Sequence, residues 1–491
     1  MVKNLRKKLE NCVLESKCMQ AINKFLETKW YMIAFMSFVF LVQSFGLECV
    51  AFITIALIFA YVCFFMPDTN ATIPLICGAT FCISLMHSPI QGTSQYFSTP
   101  EFTVCLIIAI AVISLSILYR LIAYGEFKKV FTKSKLIWGI VALSIAYLLS
   151  GIGYKNYTFN DFIMSVIQAG SLFGAYLFLV STADFKKFNL DVLASFCVVL
   201  LFYMIALIIF VYATNILGIV SDSGKWKNYV ISGWGISNDL GTYTAMLIPS
   251  FFYKMFKAEK RSYIWYGFAC LAMVAVFFTY CRSATLVGLI IMIACSIWAM
   301  CRKKNRKTAI ITVISALIAL VVLFIILYYA GVLEHVFAYH INKVNNGLEF
   351  DKISSGRGTI WKRYFNYFLE YPIFGGGFNV DMPAYNGYDP NNGIFSVYSF
   401  FAHNTVFQIM GSCGAVGLIA YIYHTITTIG IFLRKPTEKR FVFAVAIFGF
   451  VAMTMLDLMF FKTYFTLLYV VMLLVCEADL TNKENDNKIG E

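Results

Sequence analysis

The chain has 491 residues, of which 60% are hydrophobic, 17% aromatic and only 13% charged. Soluble domains carry about one-quarter charged residues, so this composition excludes a set of soluble domains and predicts a polytopic integral membrane protein. The net charge of +13 does not point to nucleic acid, because the cations fall between apolar spans, where anionic membrane lipids are the natural partner.

Residues 1–29 form a basic N-terminal segment that lacks the apolar region and small-residue cleavage site of a signal peptide. Leu5, Leu9, Cys12 and Val13 share one helical face, with Lys3, Arg6, Lys7 and Lys8 close by. That pattern fits a helix lying on the cytoplasmic leaflet or, alternatively, a disordered basic tail.

A hydrocarbon core of about 30 Å takes roughly 20 apolar residues per helix. On that measure residues 30–476 hold about 12 to 14 transmembrane helices, and the expected fold class is an all-α membrane helical bundle. The predicted spans are Tyr31–Gly46, Cys49–Met66, Ala71–Ser88, Phe102–Ala123, Leu136–Gly151, Phe162–Thr182 and Val192–Asn215. The second half adds Leu240–Phe256, Ile264–Tyr280, Ala284–Met300, Ala309–Gly331, Val406–Leu433, Phe441–Met455 and Thr463–Cys476. Lys and Arg concentrate in alternate loops, from Arg120 to Lys135, at Lys186 and Lys187, and from Lys254 to Arg261, Arg302 to Lys307 and Arg434 to Arg440. The positive-inside rule makes those loops cytoplasmic. Both termini are then cytoplasmic, including a tail at 477–491, and one large external loop covers 331–404 between late helices. The stretch from Asp479 onward, acidic and rich in Asn and Lys, reads as disordered. The 14 cysteines contain no Cys-x-x-Cys and no Cys/His cluster of zinc spacing, and those in apolar runs (Cys63, Cys77, Cys82, Cys105, Cys197) behave as small hydrophobes. Neither a disulfide framework nor a metal site is expected.

Against this topology Arg282 stands out. It sits in the hinge Tyr280-Cys281-Arg282-Ser283-Ala284 between two spans, on the external side, where a cation breaks the charge rule. An ionisable group near hydrocarbon is a functional candidate by default; the alternative is an arginine snorkelling to lipid phosphate.

The polar stretch from Ser354 to Asn404 is the longest interruption of the apolar sequence. Thr359 to Tyr371 should be an amphipathic helix with Ile360, Trp361, Tyr364, Phe365, Phe368 and Leu369 on one face and Lys362, Arg363, Asn366 and Glu370 on the other, ended by Pro372. Arg357, between Gly356 and Gly358, falls just ahead of that helix, where amide N–H groups, the helix dipole and a guanidinium can bind an anion together. An ordinary loop arginine among turn glycines is the alternative. Gly375-Gly376-Gly377 permits a tight turn or close approach of another backbone. His403 precedes the next span, with Asn404-Thr405 as caps, and suits either general acid–base work or a structural role. The remaining histidines (His87, His335, His340, His424) are weaker candidates. Asp239, beside Asn238 at the start of a span, could orient an arginine or bind sugar. Glu349 and Asp351 read as solvated charge, and no Asp-x-Asp signature of a metal–nucleotide-sugar site occurs.

Taken in order, Cys281-Arg282-Ser283, Arg357 with Trp361, Tyr371-Pro372 with Gly375 and Gly377, and His403-Asn404 with Gly411, Gly414 and Gly417 resemble the O-antigen ligase/O-antigen polymerase (Wzy-like) family of membrane proteins. The motif-bearing part covers about residues 238–421; the N-terminal half matches only as a multi-span region. The resemblance implies a glycosyltransferase of the cytoplasmic (inner or plasma) membrane that moves a glycan from undecaprenyl pyrophosphate to an acceptor hydroxyl on the external face, without metal or cofactor. Arg282 and Arg357 would then hold the pyrophosphate and stabilise the charge that builds on it, and His403 would position or deprotonate the acceptor hydroxyl. Asp239, Trp361, Arg363 and Asn404 would assist in substrate binding. Partners would be the lipid-linked glycan, membrane lipids and other polysaccharide-assembly proteins. Polymerisation of O-antigen, capsule or exopolysaccharide repeats is the first expectation and ligation of finished polymer to a surface acceptor the second. A flippase for lipid-linked oligosaccharide is the rival of another class. It predicts ionisable groups near mid-membrane and repeated halves, neither of which the sequence shows.

Overall fold

A computed structural model of the chain describes residues 2–82, 99–125, 127, 131, 134–216, 237–258, 260–301, 306–329, 331, 357–378, 387–389, 394–396, 402–434 and 436–489. His87, His335, His340, Glu349, Asp351 and the segment from Ser354 to Gly356 lie outside the described residues.

An unpaired amide in hydrocarbon costs several kcal/mol, and a helix pairs its amides internally, so each predicted span contains helix. In chain order these are α1 (Val2–Glu15), α2 (Lys17–Leu26), α3 (Lys29–Phe45), α4 (Glu48–Phe65), α5 (Thr72–Gly78), α6 (Pro100–Tyr124), α7 (Ile137–Leu148), α8 (Phe159–Ala169), α9 (Ala175–Thr182) and α10 (Leu190–Ile216). There follow α11 (Ser237–Leu247), α12 (Pro249–Lys257), α13 (Ser262–Phe277), α14 (Arg282–Cys301), α15 (Arg306–Tyr329), α16 (Arg357–Glu370), α17 (Thr405–Leu433), α18 (Glu438–Thr454) and α19 (Thr463–Ile489). A two-stranded antiparallel hairpin pairs Gly387–Asp389 with Ile394–Ser396.

Among the described residues eight helical segments are long and apolar enough to cross a membrane, or nine if the α2–α3 pair, bent by 78°, is one span. The other predicted spans hold shorter or interrupted helices. Pro249 splits the predicted span Leu240–Phe256 into α11 and α12, since it cannot donate to the preceding turn. A π-turn at Gly170–Gly174 joins α8 to α9. The central spans lie in Leu190–Ala213 and Thr463–Thr481, each 72% buried, whereas Ala309–Tyr329, at 6%, lines the outside.

Two expectations at the chain ends are resolved. The N-terminal segment is helical, and α1 packs on α4 and α6, with the Arg6 guanidinium 4.1 Å from the Tyr124 ring centroid. The tail is not disordered from Asp479: α19 continues to Ile489, because extending an existing helix costs far less than nucleating one.

The feature that positions the loop sequence is a break inside α17. Gly414 has φ 63 and ψ −156, so the helical ladder is interrupted there. The freed groups pair with the glycine triplet and its flank. Ala415 N–H donates to the Pro372 carbonyl (2.8 Å) and Val416 N–H to Ile373 (3.2 Å). In return Gly376 N–H donates to Gly411 (2.9 Å) and Gly377 N–H to Ser412 (2.9 Å). A Cβ at Gly414 would overlap the Ile373 carbonyl, and one at Gly375 (φ 64) the Ser412 backbone. Gly414→Ala should therefore cost about 2–4 kcal/mol. Gly430→Ala, on the regular part of the same helix with open space around it, should gain about 0.5–1 kcal/mol. Thermal unfolding of the two variants in detergent checks both signs.

Candidate functional site

The candidate residues lie at or beside the starts of several helical segments. Asn238 and Asp239 open α11, Arg282 opens α14, Arg357 opens α16, and His403 and Asn404 precede α17. First-turn amides are unpaired and carry the positive end of each helix dipole, so a helix start is a place that favours anions.

The α14 start is held against α11 through Gly241, where a Cβ would meet Thr279 Oγ1 and the Cys281 side chain. This close approach sets the Arg282 hinge beside the turn that carries Asp239. Arg282 is half-buried, and the hinge residue Tyr280 has φ 57. His403 is the other left-handed residue at the site, with φ 47. Such backbone costs of order 1–3 kcal/mol and persists where surrounding contacts over-determine it.

Those contacts are visible at Asn404. Its Oδ1 accepts from the Val406 and Phe407 amides at 2.9 and 3.3 Å, the cap expected from sequence, and its Nδ2 donates to the Met455 carbonyl at 2.9 Å. His403 Nδ1 then lies 3.0 Å from Asp457 Oδ1. The Asp457 carboxylate is buried and also accepts from the Leu458 amide (2.8 Å) and Asn238 Nδ2 (3.2 Å). Next to it the Lys462 ammonium pairs with Asp239 Oδ1, and Tyr464 Oη donates to Asp239 Oδ2 at 2.7 Å. Burial alone would raise the Asp457 carboxyl, but the His403 hydrogen bond and the Lys462 charge hold it well below the usual carboxylate range. Burial opposes the Lys462 charge, and Asp239 and Asp457 outweigh it, holding the ammonium above its ordinary value.

α16 joins this centre through Trp361. Its Nε1 donates to the Ala402 carbonyl at 2.8 Å and its ring stacks on Phe407 at 5.2 Å. Arg357 is one turn before Trp361 and half-buried, as is Arg363. Arg357 is itself helical and not ahead of the helix, which among the described residues runs from Arg357 to Glu370. Against the rest of the chain it buries Tyr364 and Tyr367, while Phe365 and Leu369 are exposed. Gly411 makes room for this packing, since a Cβ there would occupy the position of the Tyr364 ring.

The structure thus ties Asp239, His403, Asn404 and Trp361 into one connected centre, with the Arg282 hinge against its α11 side. It adds Asp457, Lys462 and Tyr464, which the sequence reading missed. Lys462 carried the same signal as Arg282, a lone cation between two apolar runs on the predicted external side. His424 stays apart: it is buried within α17 with Nε2 2.9 Å from Tyr469 Oη. Among the described residues no group of three or more His, Cys, Asp or Glu is placed to hold a metal.

Asn404→Ala should lose about 1–2 kcal/mol through its cap and its Met455 bond, measurable by thermal unfolding. Because the Asp457 carboxyl is held below its unfolded value, its charge stabilises the fold above the carboxylate range and that contribution fades as pH falls below about 4. Asp457→Asn should therefore be clearly less stable than the parent at neutral pH, with the gap narrowing in acid.

Residues 267–422, from within α13 through the first half of α17, match the family described as O-antigen ligase (Wzy_C). No curated protein matches the chain. The matched span contains Arg282, Arg357, Trp361, Arg363, His403 and Asn404, and the match supports a role in membrane glycan transfer during O-antigen assembly. Over residues 267–422 the chain is therefore similar to the O-antigen ligase family, and its apolar helices are those of an all-α polytopic membrane protein.

Proposed function

We propose that the protein is a glycosyltransferase that moves a glycan from undecaprenyl pyrophosphate to an acceptor hydroxyl at the outer surface of the cytoplasmic membrane. The observation that carries this reading is the His403 Nδ1 to Asp457 Oδ1 contact of 3.0 Å, made by an imidazole that is 33% exposed and a carboxylate that is 3% exposed. An Nδ1–H donated to Asp457 leaves Nε2 free to accept the proton of an attacking hydroxyl. The hydroxyl oxygen forms the new glycosidic bond as the bond from the sugar to the pyrophosphate oxygen breaks. The departing diphosphate gathers negative charge, which Arg282, Arg357 and the first-turn amides of α14 and α16 are suited to hold. Fixed guanidiniums supply cationic charge that a metal ion gives in other transferases, so the reaction is metal-independent on this reading. Trp361, Arg363, Asp239 and Asn404 shape the surrounding site. The positions of Lys and Arg support cytoplasmic termini and an external active centre.

Polymerisation of O-antigen, capsule or exopolysaccharide repeats is the reading we put first. That order rests on the span count expected from the sequence, which the resemblance associates with polymerases; among the described residues eight or nine helical segments are long and apolar enough to cross a membrane. Ligation of finished polymer to a surface acceptor is the second, favoured by the family description O-antigen ligase.

The test uses purified protein in nanodiscs and the cognate polyprenyl-pyrophosphate-linked repeat unit, with products separated by length. A polymerase yields a ladder from this donor alone. A ligase yields a single transfer only when a separate acceptor is added. Arg357→Ala, with unchanged thermal stability, should lower the rate about 100- to 1,000-fold, His403→Ala about 100- to 10,000-fold, and EDTA should leave the rate unchanged. Absence of any transfer from confirmed cognate donor removes the transferase reading and brings the flippase forward.

A further inference from the structure

We infer that α2 is an interfacial helix, bound through one exposed apolar stripe and the lysines beside it to anionic phospholipid at the edge of the hydrocarbon core. The inference is independent of the transferase reading.

The geometry begins with a bend. α2 ends at Leu26, and Thr28 Oγ1 accepts from the Tyr31 amide at 3.4 Å to cap the start of α3. The two helices meet at 78°. α3 has no need of α2 to cross the membrane: its 17 residues, at about 1.5 Å each, cover most of a core about 30 Å thick. Because α3 spans the bilayer, a helix at this angle to it lies close to the membrane plane. Trp30, 70% exposed in the first turn of α3, has the amphipathic ring that settles at headgroup level.

α2 presents three faces. The first is held by the bundle: Leu26 is buried, and Met19 and Asn23 are half-buried. Tyr61 Oη donates to Asn23 Oδ1 at 2.9 Å and Asn23 Nδ2 to the Phe65 carbonyl at 3.4 Å, which fastens the helix to the end of α4. The second face, Cys18, Ala21, Ile22 and Phe25, is exposed and apolar, with Ile22 40% and Phe25 46% open. The third, Lys17, Gln20 and Lys24, is exposed and polar and borders the second. Immersion in water would leave Ile22 and Phe25 uncovered, and immersion in hydrocarbon would strand Lys17 and Lys24. The boundary between the two suits all three faces.

The lysines select the lipid. Lys17, Lys24 and Lys29 are exposed, while the neighbouring Glu27 is engaged by Lys187 at 3.0 Å. Cationic charge at the height of the lipid phosphates attracts anionic headgroups. α1 does different work. Its Leu9 and Val13, on the apolar face expected from sequence to meet the leaflet, are half-buried as the helix packs on α4 and α6. The lipid contact therefore belongs to α2.

The experiment places the photoreactive residue p-benzoylphenylalanine at Ile22, at Phe25 or, on the polar face, at Gln20 of the full-length protein. Each variant is irradiated in nanodiscs of equal parts phosphatidylcholine and phosphatidylglycerol, and its peptides are analysed by mass spectrometry. Lipid adducts should form at positions 22 and 25 and be about ten-fold rarer at position 20, which faces water. Phosphatidylglycerol adducts should exceed phosphatidylcholine adducts about five-fold, the preference that one lysine near the surface supplies. Combining Lys17→Gln, Lys24→Gln and Lys29→Gln, all at exposed positions, should return that ratio to about one, and added salt should lower it in the parent. The same variants irradiated in native membranes reveal any other occupant. A cross-link from position 22 or 25 to a second copy of the chain or to another protein overturns the inference, as do equal adducts at positions 20 and 22. Adducts without a phosphatidylglycerol preference, or a preference that survives the triple exchange, overturn the role given to the lysines.

Discussion

The constraint on which the site depends is the buried carboxylate of Asp457. An ionised carboxylate out of water is tolerated only with a cation and a full set of hydrogen bonds. Here those partners come from four places in the chain: the His403 ring, the Asn238 amide, the Leu458 backbone and the Lys462 charge. Satisfying one side chain thus gathers the start of α11, the residue before α17 and the connection from α18 to α19. The left-handed backbone at His403 is held in place by the same contacts, together with the Asn404 cap and its bond to Met455.

Buried charge elsewhere in the bundle follows the same rule but does different work. Glu477 accepts from the Leu136 amide at 3.1 Å and from Tyr176 at 2.9 Å, and so caps the start of α7. Arg120 donates to the Met66 carbonyl at 2.7 Å, and Arg440 to the Ile431 and Arg434 carbonyls at 3.1 Å, closing the ends of α4 and α17. Arg440 also meets Asp479 at 3.1 Å. Each of these groups compensates a helix terminus of opposite sign. His403 differs in that its charged partner is deeply buried while a third of its own side chain is open.

The break at Gly414 connects the bundle to the loop chemistry. The carbonyls and amides it frees are met by residues 372–377, which ties the end of α16 to the middle of α17. Because Trp361 at the other end of α16 reaches the Ala402 carbonyl, the helix that opens with Arg357 is anchored at both ends against α17.

Much of this was legible in the residues themselves. Long apolar runs leave the backbone no alternative to helix, so helix lies within each predicted span, although only eight or nine segments among the described residues are long enough to cross a membrane. Arg282, Arg357, His403 and Asn404 were visible as polar residues at the ends of apolar sequence, and the Asn404 cap follows from local chemistry. Other features depended on long-range packing. Asp457 and Lys462 sit in a short polar interruption, and only the fold shows which residues they face, 54 positions away for His403 and 223 for Asp239. Which residues of α16 pack against α17 also depended on the fold: apolar periodicity marks a stripe, whereas the space at Gly411 decides that Tyr364 is buried. A local pattern specifies what a segment must become; the partner of a buried charge is set by whichever distant group can compensate it, and that is a property of the tertiary structure alone.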